Sequence, residues 1–151
     1  MTGTPDPTTT EEADAATAAL RDALLAEHAA VHGYGFAAAR IGAELRDLCL
    51  SHLEEHRAWR DTLHDALVAR EAVPPGGEDA YQLPADTAGE ALRDFAAGLE
   101  ETTAQAYLEL AAAPDSGLRD LAGRALRETT LRVLALGGRL SVFPGFPGGE
   151  L

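Results

Sequence analysis

Apolar residues recur with helical spacing over most of the chain. From Glu11 to about Ile41, the residues Leu20, Leu24, Glu27, Val31, Tyr34, Ala38 and Ile41 follow alternating steps of four and three. That is an unbroken amphipathic seam with one charged member, Glu27. Thr8, Thr9 and Thr10 offer N-caps, and Gly33 and Gly35 mark places where a neighbour can approach closely. Gly42 marks a break. A second helix is predicted from about Ala43 to Glu71, with the seam Leu45, Cys49, His52, His56, Trp59, Leu63 and Ala66. Two histidines stand there where a bundle wants leucine. Ala72 to Asp86 holds Pro74, Pro75, Gly76, Gly77 and Pro84 and reads as a loop. Thr87 and Glu90 have capping-box spacing and open a third helix with the seam Leu92, Ala96, Leu99, Thr103, Ala106 and Leu110. Pro114 ends it. Asp115 or Ser116 caps a fourth helix carrying Leu118, Ala122, Ala125, Thr129, Val133 and Leu136, which Gly137-Gly138 closes.

The connections set the topology. Short links make helices one and two, and three and four, antiparallel hairpins. The middle link of about 15 residues reaches ~50 Å when extended, whereas a helix of about 27 residues is ~40 Å long. It can therefore cross the whole bundle and set helices two and three parallel. The expected fold is all-α, a four-helix bundle with one long crossover between helices two and three, the ferritin-like arrangement. Residues 1–10 are expected to be a flexible N-terminus, 11–140 the bundle, and 141–151 a Phe/Pro/Gly-rich tail whose Phe143 and Phe146 fold back onto one end.

Composition agrees with packed helices. The chain has 151 residues, enough for one domain with a real core, including 31 alanines and 22 leucines. Twelve arginines, no lysines and 25 acidic residues give a net charge of −13, a field that repels nucleic acid and anionic membranes. The single cysteine, Cys49, excludes an internal disulfide and every cysteine-cluster metal site. With no secretory signal and no run long enough to span a bilayer, the expected compartment is the cytoplasm.

The candidate chemistry lies in the polar residues on the seams. A carboxylate on an apolar face must be paired, protonated, hydrogen-bonded or metal-bound. Glu27 needs such a partner, and His52 and His56 on helix two offer one. Glu55 follows His52 by three residues, Glu100 sits on helix three, and Glu128 adjoins Thr129 on helix four. A carboxylate and imidazole cluster of this kind suits iron, manganese or zinc. A di-metal bundle, however, needs Glu-x-x-His on two helices, and no glutamate here is followed by histidine at that spacing. A single metal on Glu27, His56 and Glu100 is compatible with the pattern. So is a buried network in which Glu27 accepts hydrogen bonds from histidine, tyrosine or arginine, and this second reading is favoured.

Other signals point to structure. His52-Leu53-Glu54-Glu55-His56 matches the H-x-x-E-H pattern of inverted zinc proteases, but no strand is present to shape a peptide cleft. His28 and His32 read as boundary or surface residues, Cys49 as a small core residue, and Arg57 with Asp61 as an exposed ion pair. Tyr34 and Tyr107 each lie seven residues beyond a glutamate, Glu27 and Glu100. They read as ordinary core or boundary aromatics, with hydrogen bonding to the acidic cluster as the sharper alternative.

Several segments in fixed order carry a family likeness. They are Ala26-Glu27-His28-Ala29-Ala30-Val31 with Tyr34, His56-Arg57-x-x-Arg60-Asp61, Val73-Pro74-Pro75, Tyr81-x-Leu83-Pro84, Leu99-Glu100 with Tyr107, Leu118-Arg119, and Phe143-Pro144-Gly145. Together the chain resembles the uncharacterised ferritin-like domain family of actinobacteria over about residues 16 to 145. The resemblance implies a ferritin-like bundle but no activity. Against the wider di-iron superfamily it implies that Glu27, His56 and Glu100 stand at ligand positions, while Leu53 replaces the glutamate before His56 and the fourth-helix pair is missing.

The residues therefore favour a degenerate, non-catalytic bundle without cofactor, acting as a binding or assembly module. A homodimer is its first candidate assembly, and its protein partner is unidentified. The alternative is an iron- or manganese-binding oxidoreductase or metal-handling protein. There Glu27, His56 and Glu100 are ligands, and His52, Glu55 or Glu128 complete the shell.

Overall fold

The computed structural model describes residues 6–139. Four helices make up the fold: α1 (Pro7–Ala38), α2 (Ala43–Ala69), α3 (Gly89–Leu110) and α4 (Ser116–Ala135). The described residues contain no strand. The tail that carries Phe143 and Phe146 lies outside them.

The helix ends show where local chemistry overrode the pattern. Helix α1 starts earlier than the seam predicts, because the Asp6 carboxylate accepts the Thr8 N–H at 3.1 Å and Pro7 occupies the first turn. The Thr87 and Glu90 capping box does not form. Asp86 accepts the Ala88 N–H at 2.9 Å, which makes Ala88 the N-cap and shifts Glu90 out of register by one residue. Asp115 caps α4 as expected, accepting the Leu118 N–H at 3.1 Å. Helices α2 and α4 end in the same Schellman geometry. In α4 the left-handed residue is Gly137 (φ 78°), and the Gly138 N–H donates to the Val133 carbonyl at 2.9 Å. In α2 that position is Glu71 (φ 58°), with the Ala72 N–H donating to the Leu67 carbonyl at 3.0 Å.

Side-chain pairings fix the topology. Residue 34 of α1 meets 52 on α2 and 100 on α3, while residue 27 meets 56 and 107. Both α2 and α3 therefore run antiparallel to α1 and parallel to each other. Helix α4 is antiparallel to α2, since 128 meets 59 and 132 meets 55. The long crossover predicted from the loop length is present. It lies over α1, where His28 Nε2–H donates to the Pro75 carbonyl at 3.2 Å and the His32 and Tyr81 rings sit 4.9 Å apart. Gly33 permits close packing of α3: an added Cβ would meet Leu99 at 2.5 Å and Phe95 at 3.1 Å. Gly35 faces open space.

The interior is layered along the bundle axis. One apolar cluster holds Leu20, Leu24, Leu63, Leu67, Leu110 and Leu121, with Trp59 and Tyr107 at its edge. A second holds Ala30, Ala37, Ile41, Cys49, Leu53, Leu92 and Leu136, with Tyr34 at its edge. Between them lies a belt of buried polar side chains: Glu27, His52, His56, Glu100, Thr103, Thr129 and Arg132.

Candidate functional site

Each helix supplies one member to the centre of the belt: Glu27 from α1, His56 from α2, Glu100 from α3 and Arg132 from α4. All four are essentially excluded from solvent. The His56 ring bridges the two carboxylates. Its Nδ1 lies 2.6 Å from Glu27 Oε2 and its Nε2 2.9 Å from Glu100 Oε1. With a carboxylate oxygen facing each ring nitrogen, both nitrogens are donors, and the ring is an imidazolium. Burial alone would depress that charged form. The hydrogen bonds to Glu100 and Glu27, and their negative charges, outweigh it and push His56 up to about 9.

The tyrosines pair crosswise. Tyr107 of α3 donates to Glu27 Oε1 at 2.6 Å, and Tyr34 of α1 donates to Glu100 Oε1 at 2.5 Å. Helices α1 and α3 carry the same Glu-x6-Tyr spacing and run antiparallel, so each tyrosine meets the other helix's glutamate. Burial and the neighbouring carboxylate raise both phenols far above their ordinary value, so both stay neutral donors. The Tyr34 proton is committed to Glu100, so its oxygen accepts from His52 Nδ1–H at 3.3 Å. Burial lowers His52, which favours its neutral form.

Arg132 closes the other side. Its Nε donates to Glu100 Oε2 at 3.0 Å, Nη1 to Glu55 Oε2 at 3.1 Å, and Nη2 to Thr129 Oγ1 at 3.2 Å. Nη1 also lies 3.8 Å from Glu128 Oε2, which accepts the Trp59 indole N–H at 2.6 Å. Burial pushes the Glu100 carboxyl up, but His56, Arg132 and Tyr34 together hold it below its ordinary range. Burial likewise works against the charged Arg132, and Glu100 and Glu55 more than restore it. Two carboxylates, one imidazolium and one guanidinium balance at the centre. Among the described residues, every buried side-chain nitrogen and oxygen has a partner.

The structure brings Glu27, His56 and Glu100 together directly. It brings Glu55 and Glu128 to the cluster only through Arg132, as half-exposed residues at its rim. His52 reaches it only through Tyr34. In the H-x-x-E-H segment, Glu55 turns toward Arg132 while both histidines turn inward. Arg57 does not pair with Asp61; it pairs with Glu54, and Asp61 pairs with Arg60 at 2.8 Å, because both nearer carboxylates lie beside those guanidinia on the exposed face. Cys49 is buried, and burial pushes its thiol up, away from a reactive thiolate. Arg132 is the member that the pattern missed. The fourth seam runs through Ala125, Thr129, Arg132 and Leu136, in steps of four, three and four, rather than through Val133. That spacing was the available signal. Among the described residues, no three His, Cys, Asp or Glu side chains are arranged to hold a metal ion, and no helix is long and apolar enough to cross a membrane.

No curated protein matches the chain. Among solved structures it is similar to the crystal structure of a conserved hypothetical protein, rv2844, from Mycobacterium tuberculosis. The two share 30% identity with a TM-score of 0.77, over 82% of this chain and 96% of that one. The family described as domain of unknown function (DUF4439) matches residues 19–148, a span that contains every member of the polar belt. The chain belongs to that family.

Proposed function

We propose that this protein is a ferritin-like bundle with no reaction of its own, working in the cytoplasm as a binding or assembly module. Its polar belt locks four helices into one register. The observation that carries this reading is the position of His56. Its ring fills the space between the two carboxylates best placed to share a metal, and a proton on each nitrogen occupies the lone pair a metal would use. The guanidinium of Arg132 lies against the same Glu100. The residues present do not fit a resident iron or manganese ion, and no chemical step is routed through one. With the interior closed, function passes to the surface. The net charge of −13 directs it away from nucleic acid and toward proteins, a second copy of the chain first.

The test is metal content by mass spectrometry on full-length protein purified without chelator or affinity tag, with native mass spectrometry on the same sample. The expected result is far less than one metal per chain, no near-ultraviolet shoulder on aerobic Fe(II) addition, and a mass that rises with concentration to that of a dimer. Near-stoichiometric iron, manganese or zinc that disappears in Glu27→Ala would overturn it. That outcome would favour the metal-handling reading, with Glu27, His56 and Glu100 as ligands and His52, Glu55 or Glu128 completing the shell. A protein that stays monomeric and metal-free would remove the dimer and leave a heterologous partner.

A further inference from the structure

A groove of about 440 Å³ opens between α1 and α3, beside the crossover that lies over α1. That is within the size range of binding sites, roughly 300–1,000 Å³. Its floor is apolar, made by Leu25 and Ala29 of α1 and Ala106 of α3. Its rim is acidic. Asp22 of α1, Glu109 of α3 and Glu78 of the crossover line it, and no arginine or histidine does. All three carboxylates are exposed. Among the described residues none of them is taken into an ion pair, unlike Glu54, Asp61, Asp115 and Asp120 elsewhere on the surface. Glu109 stands in the last turn of α3, where the helix dipole is negative and no basic residue offsets it. The crossover wall is fixed in place. His28 holds the Pro75 carbonyl, and the Tyr81 hydroxyl accepts the Glu78 N–H at 2.9 Å. A Cβ at Gly77 would meet that hydroxyl at 3.1 Å and His28 Nδ1 at 3.6 Å, so only glycine seats the wall this closely.

We propose that this groove docks a basic, extended segment of a partner protein, with an arginine or lysine flanked by small apolar residues. The warrant is complementarity. Arginine and lysine are apolar along the stem and charged at the tip. Laid over Leu25, Ala29 and Ala106, the stem covers the floor while the head stands among the three carboxylates. A neutral apolar segment would draw those carboxylates out of water without pairing them, and an acidic one would be repelled. The fixed wall keeps the ordering cost of binding low. The net charge of −13 speeds the approach of a basic partner. The inference rests on the binding-module reading given above and names the chemistry of the partner.

The probe is the peptide acetyl-Ala-Arg-Leu-Arg-Ala-amide, titrated at low ionic strength into isotope-labelled full-length protein and followed by backbone amide shifts. Saturable shifts are expected, concentrated at Leu25, Ala29, Gln105 and Ala106. Asp22→Asn with Glu109→Gln should weaken binding about fivefold to tenfold. Ala29→Arg, which lays the chain's own cation over the floor, should abolish it. Asp47→Asn with Asp65→Asn removes the same charge from exposed positions on α2 and should weaken binding less than about twofold. Shifts scattered over the acidic surface, equal losses in the two double variants, or no saturable binding overturn the inference. So does spermidine bound at these residues as tightly as the peptide, which makes the site one for a small organic cation. The same shifts appearing on concentrating the protein alone also overturn it, since the occupant is then a second copy. None of these outcomes touches the closed core, which metal content tests separately. Stoichiometric metal in a protein that still binds the peptide overturns the closed core and leaves the groove assignment standing.

Discussion

The two apolar clusters and the belt between them sit in one bundle but obey different rules. The apolar clusters are held by area removed from water, which is non-directional and tolerant of shape changes that conserve volume. The belt is held by directed hydrogen bonds between charges that would each be costly if left alone. Leu63 can be replaced by a neighbour in size and its surroundings adjust. Glu100 has no substitute, because its two oxygens simultaneously serve His56, Tyr34 and Arg132. The apolar clusters supply bulk stability. The belt selects which residues of the four helices stand at the same height.

The largest expected effect breaks the belt at its shared residue. Glu100→Ala leaves an imidazolium and a guanidinium buried without their common partner and should cost about 3–5 kcal/mol, measured by urea unfolding. Leu63→Met, in the apolar cluster, should cost less than about 1.5 kcal/mol. Equal losses from the two changes would erase the distinction between the layers.

The second prediction uses pH between 6.5 and 9, where the imidazolium of the belt responds. His56 rises from 6.5 to about 9 on folding. Its contribution is complete below pH 6.5, declines as pH rises through 9, and is gone above that. For this fully buried group the loss is roughly 2–4 kcal/mol. Glu100 has the opposite sign. Its lowered value contributes above its ordinary 4.5 and is lost as pH falls through the folded value. His52, lowered by burial, also favours folding above 6.5 and disfavours it on acidification. Stability should therefore peak near pH ~6 and fall on both sides. In His56→Gln the decline between pH 6.5 and 9 should vanish, whereas in Leu63→Met it should persist. A wild-type unfolding curve that stays flat from pH 7 to pH 10 would remove the imidazolium from the centre.

The smallest effect concerns a helix end outside both layers. Glu71 holds the left-handed position that Gly137 holds at the end of α4. Glu71→Gly should gain about 0.5–1 kcal/mol by relieving that conformation, with the Schellman bonds kept. A thermal melt at pH 6 reads it directly, and the pH profile should not move, since the belt is untouched.

Much of this was legible in the sequence, and particular residues show why. The seams through Leu20, Leu24 and Glu27, and through His52, His56 and Trp59, follow from a repeat near 3.6 residues per turn and need no tertiary information. On α3 the strict heptad seam predicted Leu99, but burial falls on Glu100, because a straight helix drifts against a 3.5 repeat. The same drift brought Arg132 inward in place of Val133. A pattern read by hydropathy passes over an arginine, since nothing local tells whether its charge will find carboxylates on other helices.

The sequence by itself determined four helices, the long crossover and a polar interruption halfway along each seam. These are properties of spacing and loop length, which the chain carries locally. Only the tertiary structure decided how the interruption is satisfied: Tyr34 on Glu100, Tyr107 on Glu27, His56 between the carboxylates and Arg132 against three of them. Apart from the i,i+4 contact of Arg132 with Glu128, those pairings join residues 29 to 80 positions apart. They depend on the antiparallel register of α1 and α3, because hydrogen bonds act over about 3 Å and a shift of one residue along a helix moves a side chain by 1.5 Å and about 100°.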